Sequence, residues 1–167
     1  PVIGVGNLTV GGTGKTVFVQ WVAEHLGGAV PVVISRGYGS KALQDAPVSV
    51  VSVGDERVLA FNSRFFGDEP CLLASRGIAV AIGRNRHKAL LALQRVMDPK
   101  KPSMVILDDA YQNNTLHKDM TVLLVDARSP MDNGYLFPAG PLRERDYSRA
   151  DAIIFTHADK VQKSEEH

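Results

Sequence analysis

The segment Thr9-Val10-Gly11-Gly12-Thr13-Gly14-Lys15-Thr16 has the residue types of a phosphate cradle. Its three glycines let backbone N–H groups turn inward around anionic oxygens. Lys15 can reach the β and γ phosphates of a nucleoside triphosphate, and Thr16 offers a hydroxyl to magnesium. A strand candidate at residues 2–5 precedes the loop and an amphipathic stretch follows it. That is the context a P-loop requires, because the helix N-terminus adds its positive dipole end. One position departs from the general pattern: Thr9 stands where the first glycine is usual. The plainer reading, a glycine-rich turn before a helix, does not account for Gly-Lys-Thr at this junction.

A second group of residues complements the first. Met104-Val105-Ile106-Leu107 is an apolar run that ends in Asp108-Asp109. A hard cation wants carboxylate oxygens beside the phosphates, so Asp108 and Asp109 are candidate magnesium ligands with Thr16. The alternative is that they cap a helix or make a turn. Three further clusters also follow a strand candidate, enter a helix or lie in a long loop. They are Ser35-Arg36-Gly37-Tyr38-Gly39, Gly67-Asp68-Glu69-Pro70 and Pro138-Ala139-Gly140-Pro141-Leu142-Arg143-Glu144. Arg36, Arg84, Arg86 and Arg143 are candidates for anionic groups, since arginine suits bidentate phosphate contact. Tyr38 is placed to stack on a ligand or to pack. His117 has no second metal-type residue at matching spacing and reads as a surface residue.

These residues need a scaffold, and the chain alternates apolar runs with amphipathic stretches. Strands are expected at residues 2–5, 30–34, 48–53, 78–82, 104–107, 121–125 and 152–155. Helices are expected at about residues 15–26, 69–76 and 84–97. The first would bury Val19, Val22, Ala23 and Leu26 and end at Gly27-Gly28. The last would present Leu90, Leu91, Leu93 and Val96. Pro31 suggests an edge strand or a strand start. Pro70 suits a helix start. Residues 127–149 lack periodicity and read as a long loop. The alternation implies an α/β fold of P-loop NTPase type, with a mostly parallel sheet and helices on both faces in three layers. Ligands then bind at the carboxyl ends of the strands.

Composition sets outer limits. The 167 residues suit one domain, and 44% hydrophobic content can fill a core. A net charge of +1 gives no global field for nucleic acid, so no nucleic-acid partner is expected. The single cysteine, Cys71, excludes an internal disulfide framework and a multi-thiolate zinc site. No 18-residue apolar run is present. The first residues read as a strand already under way and residues 161–167 as a polar tail, so the chain is expected to be one core domain, residues 1–167, cut from a longer protein.

Taken together the motifs resemble the tetraacyldisaccharide 4′-kinases, which phosphorylate the lipid A precursor. The resemblance begins at Gly6-Asn7-Leu8 and the loop after it, where Thr9 is the usual form in that family. It continues through the Ser-Arg-Gly-Tyr-Gly, Gly-Asp-Glu-Pro, Asp-Asp-Ala-Tyr-Gln and Pro-Ala-Gly-Pro-Leu-Arg-Glu segments. It implies ATP as donor, magnesium, and an acylated glucosamine disaccharide 1-phosphate as acceptor. Residues 9–16 would bind ATP (Thr9, Val10, Gly11, Gly12, Thr13, Gly14, Lys15, Thr16). Thr16, Asp108, Asp109 and Glu144 would serve the metal. Asp68 would accept the sugar hydroxyl proton, with Lys15 and Asp109 at the reacting phosphate. Arg36, Tyr38, Arg86, Gln112 and Arg143 would contact substrate. The resemblance also implies work at the cytoplasmic face of the bacterial inner membrane, through an anchoring N-terminal helix, and a smaller C-terminal lobe. One position departs: the family usually reads His where this chain has Asn113. Two other functions fit a P-loop. One is a GTPase-type switch or metallochaperone, because Phe155-Thr156-His157-Ala158-Asp159-Lys160 loosely resembles a guanine-reading segment. The other is a non-catalytic nucleotide-binding domain.

Overall fold

The computed structural model describes residues 1–9, 12–26, 30–54, 62–113, 115–131 and 133–161. Val10 and Gly11 of the phosphate loop, Gly27-Gly28 and the tail beyond residue 161 lie outside the described residues. Seven strands form one sheet: β1 (Val2–Asn7), β2 (Pro31–Ser35), β3 (Val48–Val53), β4 (Ala79–Gly83), β5 (Met104–Leu107), β6 (Met120–Asp126) and β7 (Ala152–Thr156). Their order is β3-β4-β2-β5-β1-β6-β7. Every pairing is parallel except β3 with β4. The expected mostly parallel sheet is therefore present, with one antiparallel edge strand.

Alternate residues of the central strands enter two separate cores, as a pleat with period two requires. Val33, Val80, Ile82 and Ile106 pack with Val19, Val22 and Ala23 of α1 (Lys15–His25) and Leu73 and Ala74 of α4 (Asp68–Ser75). Val32, Ile34, Ala79, Ala81, Val105 and Leu107 pack with Ala89, Leu90, Leu93 and Met97 of α5 (Arg86–Met97). Helices thus cover both faces. A third cluster of Leu8, Tyr111, Leu123 and Leu142 lies under residues 134–150. That stretch contains no helix or extended strand among its described residues, only bridges from Leu142 to Thr9 and Leu136.

Several expectations need correction. Helix α5 starts at Arg86, two residues later than expected, because Asn85 caps it and accepts a bond from Lys88 N at 3.0 Å. Its buried stripe is Arg86, Ala89, Leu90, Leu93 and Met97, so Leu91 and Val96 face outward, Val96 at 60% exposure. Leu26 likewise lies exposed beyond the end of α1. Of the two readings of Pro31, the strand start holds, since Pro31 opens β2, and the edge strand does not, since β2 is interior, between β4 and β5. A missing N–H is tolerated at a first strand position. Two four-residue helices, α2 (Ala42–Asp45) and α3 (Ser63–Phe66), were too short to show a period.

Candidate active site

The carboxyl ends of β1, β2 and β5 form one rim, and the loops leaving them are tied together there. Asn7, the last residue of β1, is fully buried and is a hub. Its Oδ1 accepts from Lys15 Nζ at 2.9 Å, and its Nδ2 donates to Thr9 O at 2.6 Å. Its carbonyl accepts from Gln112 Nε2 at 3.2 Å. Lys15, the first residue of α1, is thereby held over the strand end from which the cradle springs. Gly14, at φ 77°, adopts the left-handed conformation that turns the chain into α1. Thr13 is buried, and its Oγ1 has no partner among the described residues.

Asp108 follows β5 in the centre of the rim. It is buried, and its Oδ2 accepts from Ser35 Oγ at 3.2 Å while Oδ1 has no partner among the described residues. Burial pushes its carboxyl up to about 6, with Glu69 adding repulsion and Lys15 opposing it. An unpartnered, destabilised carboxylate oxygen beside a lysine fits a site built for a further cation. No three His, Cys, Asp or Glu side chains converge as a metal cage among the described residues. Magnesium suits such a site, because it takes one or two carboxylates and fills the rest with phosphate oxygens and water.

Asp109 is placed differently. Its φ of 51° turns the chain sharply, and its Oδ1 accepts from Arg143 at 2.8 Å. Arg143 is fixed in turn by its backbone N, which donates to Leu8 O at 2.6 Å. Glu144 sits beside it, accepting from Arg149 at 2.6 Å and from Gln112 at 3.4 Å. The Pro-Ala-Gly-Pro-Leu-Arg-Glu segment is thus stitched to both the β1 loop and the β5 loop. Gly6 allows this closeness: a Cβ there would stand 2.5 Å from Tyr111 Cβ and 2.8 Å from its backbone N.

The sequence-predicted arginines occupy two environments. Arg36, Arg84 and Arg86 line a cleft of about 220 Å³ with Asp109, Gln112 and Asn113. Arg36 and Arg84 are exposed there. Arg86 is 1% exposed, and its guanidinium donates to Gly83 O at 2.7 Å and Asp108 O at 3.2 Å. It therefore braces the β5 loop from below. Tyr38 is 91% exposed, so packing is not its role.

Asp68 opens α4, but the cap position belongs to Gly67, at φ 99°. The capping reading of Asp68 thus loses its geometry. A Cβ on Gly67 would lie 3.9 Å from Tyr38 O, and Ser40 Oγ donates to Phe65 O at 2.8 Å. These contacts bring the Gly-Asp-Glu-Pro segment against the Ser-Arg-Gly-Tyr-Gly loop. At the other end of the rim, β7 ends at Thr156 and His157 Nδ1 meets Asp126 Oδ2 at 3.2 Å. Residues 158–160 then form a 3₁₀ turn. His117 is exposed, as expected.

The chain as a whole has known relatives. The family model described as tetraacyldisaccharide-1-P 4′-kinase (LpxK) matches residues 1–167. The chain belongs to the tetraacyldisaccharide 4′-kinase family. A kinase of this family from Geobacter sulfurreducens is 43% identical over 163 residues, covering 93% of this chain and 44% of the relative. One from Methylobacillus flagellatus is 41% identical over 160 residues, again covering 93% and 44%. The crystal structure of LpxK from Aquifex aeolicus in complex with ATP superposes with a TM-score of 0.79 at 37% identity. It covers 95% of this chain and 49% of that one. The chain spans less than half the length of the relatives it matches.

Sequence reasoning gave no role to Asn7, Ser35, Lys118 or Arg149. Asn7 had a visible signal, an amide at the end of an apolar strand just before the loop. Arg149 had none: its guanidinium lies 4.8 Å from the Tyr111 ring centroid, a contact made across a long irregular segment.

Proposed function

We propose that this chain is the kinase core of an enzyme that transfers the γ-phosphate of ATP to the 4′-hydroxyl of a tetraacylated glucosamine disaccharide 1-phosphate, in lipid A biosynthesis. The observation that carries the reading is the family match along the whole chain, with the five motifs at or against one rim. Lys15 and the loop amides from Thr9 to Thr16 hold the triphosphate. Lys15, kept in place by Asn7, stabilises charge on the γ-phosphate as it departs. Thr16 and Asp108 hold magnesium, which supplies neutralisation of the phosphate oxygens when bound. Asp109 and Glu144 border this site, and Arg143 orients Asp109.

Asp68 accepts the proton of the sugar hydroxyl. It stands at the first turn of α4, beside the loop that carries Tyr38. Arg36, Arg86, Gln112 and Tyr38 flank the acceptor side, Arg36 and Tyr38 as exposed contacts and Arg86 and Gln112 as groups that fix loops. A tetraacylated acceptor belongs in a lipid bilayer, and we infer from the family that this is the bacterial inner membrane, met at its cytoplasmic face. No described helix is long and apolar enough to cross a membrane.

The test is turnover by the whole protein, with ATP, magnesium and an acylated glucosamine disaccharide 1-phosphate. Phosphate should appear on the 4′-hydroxyl. Tight ATP binding without transfer would overturn the reading in favour of a non-catalytic nucleotide domain. Preference for GTP with hydrolysis alone would overturn it in favour of a switch.

A further inference from the structure

Lys118, just before β6, makes an arrangement that no motif predicts. Its Nζ donates to Ala110 O at 3.0 Å and to Asn113 O at 2.7 Å. Those two carbonyls bracket the turn that carries Tyr111 and Gln112. The side chain reaches them by crossing β1 at Gly4, where a Cβ would stand 2.5 Å from Lys118 Cδ. Strand β1 therefore has a glycine where the lysine stem passes. Burial lowers the Lys118 ammonium from its ordinary range, with Arg149 adding repulsion and Glu144 attraction. A half-buried ammonium spent on two backbone carbonyls costs desolvation, and the carbonyls repay it only if the turn keeps its shape.

That turn has consequences at the site. Gln112, inside it, donates to Asn7 O and approaches Glu144. Asn7 in turn holds Lys15. Asp108 and Asp109 lie immediately before the bracketed residues. At or before Ala110 the loop is anchored by Asp108 N to Ile34 O at 3.0 Å, Ala110 N to Val5 O at 2.9 Å, Ser35 on Asp108 Oδ2, Arg86 on Asp108 O and Arg143 on Asp109 Oδ1. After it, Tyr111 OH donates to Asp146 O at 2.8 Å, and Asn113 N donates to Ala110 O at 3.1 Å to close the turn. Lys118 adds a second tie across the turn by gripping the carbonyl at each end.

We propose that Lys118 is a positioning residue for phosphoryl transfer: it clamps the Ala110–Asn113 turn so that Gln112 and, through Asn7, Lys15 are held in register with the Asp108-Asp109 carboxylates. The inference rests on the kinase reading above for its activity readout and on the geometry alone for its structural one. It also bears on Asn113, whose Oδ1 accepts from Thr115 N and Oγ1 at 3.0 and 2.6 Å. The asparagine side chain builds its own turn, and its carbonyl is what the lysine grips.

The experiment uses the whole protein with three substitutions, Lys118→Met, Lys118→Arg and Gly4→Ala, and two measurements. The first is hydrogen exchange in peptides covering residues 108–113, against peptides from α5 as an internal reference. Lys118→Met should raise exchange in the turn and leave α5 unchanged, whereas Lys118→Arg should restore protection. Gly4→Ala, which displaces the lysine stem without removing the ammonium, should fall between them. The second is steady-state kinetics with ATP and the acylated disaccharide. Lys118→Met should lower kcat by about 10-fold or more with the KM for ATP within about 3-fold, because misplacement by a fraction of an ångström taxes the transition state more than ground-state binding. Unchanged exchange in the turn overturns the inference. So does an unchanged kcat in a Lys118→Met protein whose wild type is active. If the wild type phosphorylates no disaccharide, the kinase reading fails, and the exchange data still decide whether Lys118 clamps the turn.

Discussion

The buried carboxylate of Asp108 should make the ligand-free protein less stable than it could be. Its carboxyl is raised from 3.8 to about 6 because burial and Glu69 disfavour the charge, and only Ser35 and Lys15 oppose them. For an acid whose folded value is raised, the sign is fixed. The native state holds the proton more tightly than the unfolded chain, so this contribution to stability is full at low pH and is lost as pH climbs from about 3.8 to 6. At about 1.4 kcal/mol per pH unit, the ionised group costs the apo fold about 3 kcal/mol at neutral pH.

Asp108→Asn keeps the shape and the bond from Ser35 and removes the charge. Leaving a buried amide N–H unpartnered costs about 1 kcal/mol, so the variant should gain about 2 kcal/mol at neutral pH. For a chain of this size that is a rise in Tm of about 4–8 °C. The assay is thermal unfolding of both proteins in chelator across about pH 4 to 8. The gap between the melting curves should widen from about pH 4 to 6 and stay constant above. With magnesium and ATP the order should reverse, because the variant lacks the Asp108 carboxylate proposed to hold the cation. A variant that melts earlier than wild type at neutral pH without ligand would refute the reasoning. A gap that ignores pH would do the same.

Three further substitutions test other parts of the site. Lys15→Ala should reduce ATP turnover by about 100-fold or more, since a charge beside the β and γ phosphates is lost, and near-normal turnover in the folded protein would remove the loop from the mechanism. Asp68→Asn should lower kcat by about 100-fold or more with ATP affinity and Tm little changed, because Gly67 and not Asp68 occupies the cap; early melting with full specific activity would rule Asp68 out as the base. Gly6→Ala should cost about 1–3 kcal/mol in urea unfolding, because its Cβ meets the backbone of Tyr111 and not a yielding side-chain tip. If the alanine protein unfolds with wild-type stability, the loop does not lie against β1 as described.

Local sequence carried most of the scaffold. Strands β4 and β5 are apolar on both faces, as buried parallel strands must be, and the glycine-rich loop sits between a strand and a helix whose periods differ. What local pattern could not carry was which way a helix turns. Leu91 and Val96 of α5 have the same composition signal as Leu90 and Leu93, and only the sheet beneath decides which row is covered. Arg86 occupies the buried row although its type argues against burial, because two backbone carbonyls, at Gly83 and Asp108, are open to it there. The same limit applied to the site. Asp108 and Lys15 were legible as types at a strand end and a helix start. The ionisation of Asp108 is set by burial with Glu69 and Ser35, far away in sequence, and the Lys15 ammonium is held by Asn7, eight residues back across the cradle.

The loop after β5 explains why those distant residues matter. Its described residues include no helix or strand, so no repeating backbone pattern holds them. Each tie comes from a different element: Ile34 of β2, Val5 of β1, Arg86 of α5 and Lys118 ahead of β6. A loop held this way can place two carboxylates within the reach of a metal while one of them stays unpartnered, because no single tie has to be geometrically ideal. It also means that a variant far from the phosphates can misplace them. Conservative changes at Ser35 or Lys118 should therefore appear in kinetics before they appear in melting temperature, with the loop moving and the two cores on either face of the sheet remaining intact.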